Sequence, residues 1–358
     1  MRIIFSGGGT LGPVTPLLAL YETIKARYPE ASFLWIGTKQ GPERVLIEKA
    51  GIRFKTLNAG KFRRYLSLWN ISDVFHIIVG FFKSLKIIWK ENPDFCVSAG
   101  GYVSVPLHWA AFFLGIPTWI HQQDLKIGLA NRLMAPVARV VSTAFQKQLT
   151  EFPKKKVRWL GNPVRRELLE GTRSSALKRF GLRSDMPVIF VTGGGTGSLK
   201  VNQLMVEALP HLKNVCQILH LSGLERPQEL VQRAGRLFSD FYHAYQFFTE
   251  EMKDAYAVAD VVISRGGFGS LTEIAALGKA AIVIPKPGHQ VLNVDFLERS
   301  EAILYLDERV ADALSLVALI KEILEDRILR SKLERNLQKI LPRAREKDTL
   351  EIVTYCTN

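Results

Sequence analysis

Two runs of three glycines, GGGTLG at 7–12 and GGGTGS at 193–198, each follow an apolar stretch and precede an amphipathic one. A glycine loop that leads into a helix leaves backbone N–H groups unpaired and aims the positive end of the helix dipole forward, an arrangement suited to phosphate. The same loops also serve as tight turns that need positive φ and no ligand. Their surroundings narrow the chemistry. The second apolar strand, SFLWIGTKQ, ends without the acid that would take a ribose diol, which disfavours nicotinamide binding. No P-loop lysine follows either loop, and no D-x-D pair that might hold a metal–diphosphate stands anywhere in the 358 residues. The charge of a leaving phosphate then falls to N–H groups, the dipole and arginine, with no metal and no cofactor required.

The elements that hold these loops alternate along the chain. Short β-rich apolar runs (RIIFSG, SFLWIG, FKTLNAG, DFCVSAGG, PTWIHQ) are separated by helical patterns (PLLALYETIKARY, PERVLIEKAG, PLHWAAFFLG). Such alternation predicts a parallel sheet with helices on both faces. The cycle restarts after WLGNPVRRELL with MPVIFVTGGGTGSLKVNQLMVEAL and continues through QILHLSG, ADVVISRGG and AAIVIPKPG. Two doubly wound α/β halves are the simplest account, with a boundary near 161–165. Ligands of such sheets bind beyond the carboxyl ends of the strands, where both glycine loops stand, so a site between the halves is expected.

At 47% apolar and 23% charged residues the chain has material for a large core and is not of disordered composition. Its cysteines, Cys96, Cys216 and Cys356, are far apart and lack zinc or disulfide spacing, which points to a reduced, cytosolic compartment. The first residues hold only a strand-length apolar run, shorter than the core of a signal peptide. The net charge of +14 is one-sided, because residues 1–165 hold 23 Lys and Arg against 9 Asp and Glu while residues 166–358 hold 25 of each class. An anionic partner is expected for the first half, either nucleic acid or an acidic membrane. No helix-turn-helix or zinc-finger pattern supports nucleic acid.

Together the motifs resemble one family, the MurG glycosyltransferases of peptidoglycan synthesis. GGTLGPVTPLLAL, SAGGYVSVPLHWAAFFLGIPTWIHQQDLKIGLANRL, GNPVR, AYAVADVVISRGGFGSLTEIAALGKAAIVIP and HQVLNVDFL follow in the family's order and spacing through nearly the whole chain. The resemblance implies a GT-B fold, two doubly wound parallel-sheet domains facing across a cleft. It places an acceptor- and membrane-binding domain at 1–163, a UDP-sugar-binding domain at 164–340, and a C-terminal helix at about 340–358 that packs back on the first domain. The implied reaction moves N-acetylglucosamine, with inversion, from UDP-N-acetylglucosamine to the C4 hydroxyl of undecaprenyl-diphosphate-linked muramyl pentapeptide at the cytoplasmic face of the membrane.

Roles carry over one residue at a time. Glu273 of GSLTEIAA is expected to bind the ribose hydroxyls from a helix start, and Phe268, Gly269, Ser270 and Leu271 to aim backbone N–H groups at sugar and diphosphate. Arg165 is expected to face the diphosphate, where its fork suits bidentate contact. Thr249 should present backbone groups to uracil. Gln290 and Asn293, with His289 beside them, should hold the hydroxyls of the transferred sugar, since amides both donate and accept. Thr10, Leu11 and Gly12 of the first loop and Gly195 and Thr196 of the second complete the expected donor contacts.

Three positions depart from the family. Gly195 stands where a serine commonly contacts phosphate, leaving N–H groups and Thr196 for that task. The family's His-Glu-Gln-Asn signature reads His121, Gln122, Gln123, Asp124, so Asp124 replaces an asparagine that touches the donor sugar. Pro13 occupies the position of the histidine that takes the proton from the attacking hydroxyl, and proline has no basic atom. General-base assistance contributes ~10²–10⁴-fold, and positioning and electrostatics can contribute more, so turnover need not vanish. Asp124, partly desolvated between the halves and raised in pKa, is the substitute base expected first, and His121 second. The alternatives are a GT-B glycolipid synthase with another acceptor and a non-catalytic UDP-sugar-binding relative.

Residues 60–95 interleave Phe62, Tyr65, Trp69, Phe75, Phe81, Phe82 and Trp89 with Lys61, Arg63, Arg64, Lys83, Lys86 and Lys90. Asp73, His76, Lys83 and Lys86 interrupt any apolar run of the ~18 residues that a membrane span requires. The segment is expected to lie on anionic lipid as a peripheral anchor. The bland account, apolar faces of core helices, is compatible with it in part.

Overall fold

The computed structural model describes residues 1–41, 43–60 and 69–358, the side chains of 69–75 and 289 excepted. Two compact units divide the chain, Met1–Arg165 with Ala344–Asn358, and Arg166–Arg343.

In the first unit strand and helix alternate as β1 (Arg2–Ser6), α1 (Thr15–Arg27), β2 (Ser32–Gly37), α2 (Glu43–Lys49), β3 (Arg53–Thr56), α3 (Trp69–Glu91), β4 (Phe95–Ser98), α4 (Ser104–Phe113), β5 (Thr118–Gln122), α5 (Leu129–Met134), β6 (Val140–Thr143) and β7 (Val157–Trp159). The strands form one parallel sheet ordered β3-β2-β1-β4-β5-β6-β7. Apolar runs such as Ile3-Ile4-Phe5 and Phe95-Cys96-Val97 are buried throughout, as a parallel sheet covered on both faces demands. Alternate residues serve opposite faces. Ile3, Phe5, Trp35, Val97 and Trp119 meet Leu17, Leu20 and Ile24 of α1, whereas Ile4, Ile36 and Cys96 meet Ile88 of α3 and Leu107, Ala110 and Ala111 of α4.

The second unit repeats the scheme with α6 (Arg173–Phe180), β8 (Val188–Thr192), α7 (Leu199–Leu212), β9 (Gln217–Leu221), α8 (Glu229–Leu237), β10 (Tyr242–Tyr245), α9 (Met252–Val258), β11 (Val261–Ser264), α10 (Phe268–Ala276), β12 (Ala280–Val283), α11 (His289–Arg299), β13 (Leu304–Tyr305), α12 (Ala313–Glu325) and α13 (Arg327–Ile340). Its parallel sheet is ordered β10-β9-β8-β11-β12-β13. The last helix, α14 (Glu346–Thr357), belongs to the first unit, where Ile352, Val353 and Cys356 join the α1-side core.

Strand order reverses between β1 and β4 in the first sheet and between β8 and β11 in the second, so each unit opens a crevice at those carboxyl ends. The first glycine loop follows β1 and the second follows β8. Both therefore stand where their sheets favour a ligand.

Candidate active site

Around the second crevice the turn Gly266-Gly267 leads from β11 into α10, whose first N–H groups have no carbonyl one turn back. The N–H of Leu271 is taken by Gly267 O at 3.2 Å, so the run expected to offer N–H groups is shorter than Phe268 to Leu271 by one. Glu273 is the sixth of nine residues in α10 rather than at its start. It is nearly buried, and its Oε2 accepts the hydroxyl of fully buried Tyr256 on α9 at 3.0 Å. That contact fixes the carboxylate's direction without neutralising it. Tyr256 itself is held edge-on to Phe190 of β8, which ties the carboxylate to the floor of the sheet.

Gln290, in the first turn of α11, packs against the same turn: a Cβ at Gly266 would lie 3.3 Å from its Cβ, and one at Gly267 3.6 Å from its Nε2. Its Oε1 accepts the N–H of Lys286, so the amide is oriented with its donors outward from that bond. Asn293, one turn on, is 1% exposed. The side chain of His289 is outside the described residues. Thr249 lies ahead of α9, and its N–H donates to Glu251 Oε2 at 3.0 Å. A pyrimidine at that position would have to meet its carbonyl. Gly195 and Thr196 are half-buried in the second glycine loop, where Thr192 Oγ1 accepts Gly194 N–H and Ser198 caps α7 by accepting Val201 N–H. Arg165, the last residue of the first stretch of unit one, is half-buried with its Nε inside the fold.

In the first unit the glycine loop meets a second one after β4. A Cβ at Gly101 would lie 3.3 Å from Gly8 O, and Gly100 and Gly101 take φ of +103° and +90°, open to glycine at little cost. Beneath the loop lies a residue that the sequence did not single out. Glu43, the first residue of α2, is fully buried; its Oε1 accepts the N–H of Thr38 at 2.7 Å and the Thr38 hydroxyl, and its Oε2 accepts Gly9 N–H at 3.2 Å. Carboxylate oxygens occupy the space where Cβ atoms of Gly8 and Gly41 would stand, at 2.1 and 1.9 Å. Burial, with Glu43 beside it, pushes the phenol of Tyr102 up. The GTKQGPE spacing was the signal available.

Thr10 and Gly12 are exposed, and Leu11 and Pro13 half-buried, on the rim of the same loop. The carbonyl of Leu11 accepts the N–H groups of Val14 and Thr15, folding Pro13 into the turn that starts α1. His121, on β5, is fully buried with Nδ1 2.9 Å from Ser142 Oγ, and burial pulls its pKa down to about 3. A group inside the sheet cannot reach a substrate hydroxyl, so His121 is withdrawn as a base. Asp124 lies beyond β5 and is exposed. Its main chain is nonetheless held, since its carbonyl accepts both Gln122 Nε2 and Gln148 Nε2 at 2.6 Å. Gln122 is fixed in turn by Asn131 Nδ2, which donates to its Oε1 at 2.7 Å.

On the α3–α4 face aromatic rings gather at the surface. Phe81 lies 5.6 Å from both Phe82 and Phe113, and Trp109 6.3 Å from Phe112. Phe82, Trp89, Phe112 and Phe113 are 63%, 79%, 53% and 66% exposed, with Lys83, Lys86 and Lys90 exposed beside them. The α4 members of this patch, Trp109, Phe112 and Phe113, were missed because the helical pattern of PLHWAAFFLG does not say which of its apolar residues face solvent. Lys61, Phe62, Arg63 and Arg64, and the side chain of Trp69, lie outside the described residues. Among the described residues no helix is long and apolar enough to cross a membrane, and no group of three or more His, Cys, Asp or Glu could hold a metal ion.

Comparison with known proteins bears on this geometry. Residues 3–143 match the glycosyltransferase family 28 N-terminal domain and residues 188–347 its C-terminal domain. Similar curated proteins include the UDP-N-acetylglucosamine--N-acetylmuramyl-(pentapeptide) pyrophosphoryl-undecaprenol N-acetylglucosamine transferases of Thermoanaerobacter sp. strain X514, 35% identical over 95% of each chain, and Shouchella clausii, 36% identical over 86% of each. The crystal structure of Acinetobacter baumannii MurG shares the fold with a TM-score of 0.74 over 99% of both chains at 24% identity.

Proposed function

The chain belongs to glycosyltransferase family 28, and from that premise we propose that it transfers N-acetylglucosamine from UDP-N-acetylglucosamine to the C4 hydroxyl of undecaprenyl-diphosphate-linked N-acetylmuramyl-pentapeptide, with inversion at the anomeric carbon. The observation that carries the reading is likeness at 35% identity, through both units, to transferases of that activity. Glu273, steadied by Tyr256, takes the ribose hydroxyls. The first turn of α10 and the loop before α7 supply N–H groups to the diphosphate, Arg165 adds charge, and Gln290 serves the sugar. Thr10, Leu11 and Gly12 are further donor contacts in this reading.

In this reading Asp124 is the base for the acceptor hydroxyl. Its side chain is exposed and its backbone is held by two glutamine side chains, while Pro13 offers no basic atom in the first loop. The aromatic and lysine-bearing α3–α4 face rests on anionic lipid at the cytoplasmic side of the membrane, where the acceptor's lipid chain is anchored.

Incubation of the purified protein with labelled UDP-N-acetylglucosamine and the lipid-linked muramyl peptide tests the whole scheme. Label passing into the lipid is the expected result. Tight donor binding without any transfer would favour a UDP-sugar-binding relative, the reading that Pro13 supports.

A further inference from the structure

The second glycine loop carries no charged side chain of its own, since residues 193–198 are glycine, threonine and serine. A diphosphate seated there must draw its positive charge from a neighbour. The loop after β9, residues 222–228, abuts it backbone to backbone: a Cβ at Gly223 would stand 2.2 Å from Gly197 Cα, and one at Gly197 2.3 Å from Ser222 O. This neighbouring loop is rigidly tied. Gln228 Nε2 donates to Gly223 O at 3.0 Å and to Arg226 O at 2.6 Å, while its Oε1 accepts the Ser222 hydroxyl at 2.6 Å.

From that platform Arg226 reaches back over the glycine loop. Its Nε donates to Gly197 O at 3.2 Å, and its Cγ lies 2.9 Å from the place a Cβ at 197 would take. Gly197 is thus a glycine both for its φ of +79° and for this approach. The two terminal nitrogens of Arg226 make no hydrogen bond or ion pair among the described residues. Three other arginines of the unit are committed. Arg265, next after β11, is bidentate to Glu308 at 2.7 and 3.1 Å, Arg173 serves Asp260 and the carbonyl of Val258, and Arg179 pairs with Asp254.

We propose that Arg226 binds the diphosphate of the nucleotide sugar, its fork directed at phosphate oxygens while Nε stays on Gly197 O. The inference rests on reading the second unit as a UDP-sugar site and deepens it. A guanidinium with one nitrogen already fixed loses little freedom on binding, and its planar fork matches paired anionic oxygens. Backbone N–H groups orient the same phosphates, and Arg226 adds the formal charge that they lack.

The test compares wild type, Arg226→Met, Arg226→Ala and Arg226→Lys in the full chain, with UDP affinity measured by calorimetry and uridine affinity by NMR titration. Methionine keeps the methylene packing on Gly197 and removes the charge. Both Arg226→Met and Arg226→Ala should lose about tenfold or more for UDP, the effect of deleting a charged hydrogen-bond partner, and nothing for uridine. Lysine should restore part, and the salt dependence of UDP binding should be steeper in wild type than in Arg226→Met. Unchanged UDP affinity in Arg226→Met, or equal losses for UDP and uridine, overturns the proposal. Absence of UDP binding in the wild-type arm overturns the underlying reading first.

Discussion

Glutamine at position 43 asks whether the first glycine loop owes its shape to a buried carboxylate. In the wild type Glu43 is 0% exposed and accepts hydrogen bonds from Thr38 N–H, the Thr38 hydroxyl and Gly9 N–H. In Glu43→Gln the amide oxygen can keep the Thr38 bonds, but Nε2 then confronts Gly9 N–H, donor against donor. A bond to a charged acceptor, ~1.5–3 kcal/mol, is lost and a buried donor is left unpaired at ~1–3 kcal/mol. With partial relaxation the first unit should lose roughly 2–4 kcal/mol. For a domain of this size that lowers its melting temperature by roughly 5–15 °C.

A second substitution completes the argument. Gly8→Ala would place Cβ 2.1 Å from Glu43 Oε1, an overpacking worth ~1–3 kcal/mol. In a Glu43→Ala background that space is open, so most of the Gly8→Ala cost should disappear, a coupling of ~1–2 kcal/mol in a double-mutant cycle. Calorimetric unfolding is the assay, with the two units' transitions resolved separately because a two-domain chain need not melt in one step. Nucleotide binding, which the reading places in the second unit, is the control and should hold. Melting of Glu43→Gln at the wild-type temperature, or a Gly8→Ala cost independent of residue 43, refutes the reasoning.

Glu273→Ala should weaken UDP binding at least about tenfold by calorimetry, and Tyr256→Phe by less, because it frees the carboxylate's direction and leaves its charge; unchanged affinity in Glu273→Ala removes that residue from the site. Buried His108, His121 and His220 are each pulled from 6.5 to about 3 by desolvation. The unfolded chain therefore binds protons that the folded chain refuses, and stability should fall as pH drops from about 6.5 toward 3 by ~1.4 kcal/mol per pH unit for each. Replacing His220 by glutamine should flatten that slope by about one proton, measured by urea unfolding at several pH values, and an unaltered slope contradicts it. Flotation with vesicles containing anionic lipid should exceed flotation with neutral ones and weaken with salt, and Phe112→Ser with Phe113→Ser should reduce it; indifference to both lipid charge and the serines counts against the α3–α4 face. Asp124→Asn should cut turnover ~10²-fold with donor affinity little changed, since only basicity is removed, while Pro13→His should raise the rate if the loop still reaches the acceptor. Full turnover in Asp124→Asn puts the base elsewhere.

The two α/β halves were legible because parallel strands buried on both faces must be continuous apolar runs, and RIIFS, FCVS, VIFVT and VVIS are such runs with glycine directly or shortly behind them. What was not legible depends on chain closure. GPERVLIEK reads as a solvated helix start, and only the return of α2 beneath the glycine loop turns Glu43 into a buried acceptor. Periodicity could not decide between core and surface for α3 and α4, and the structure divides them, with Ile88 and Leu107 inside and Phe82, Trp89 and Phe113 outside. Asn293 and Thr249 were placed by motif position, which carries no information on burial or on a neighbouring acid such as Glu251. His121 was placed by its position in the family's signature, yet β5 carries it inward beside Trp119, whose indole N–H donates to the same Ser142 hydroxyl at 2.7 Å.

GGGTLG and GGGTGS read alike as letters, and each stands at the strand-order reversal of its own sheet. The charge set behind them differs. A carboxylate lies under the first and already takes the N–H of Gly9, one of the donors a phosphate would use. Over the second lies a guanidinium anchored on Gly197 O, with no acid bonded to it among the described residues. An anion approaching the first loop loses a donor and meets a like charge, whereas at the second it meets N–H groups, a helix N-terminus and a cation together. Neutral hydroxyl-bearing groups feel this difference least. In the proposed reading the second loop is therefore the one suited to phosphate, a difference that the shared glycine motif conceals and the residues packed against each loop determine.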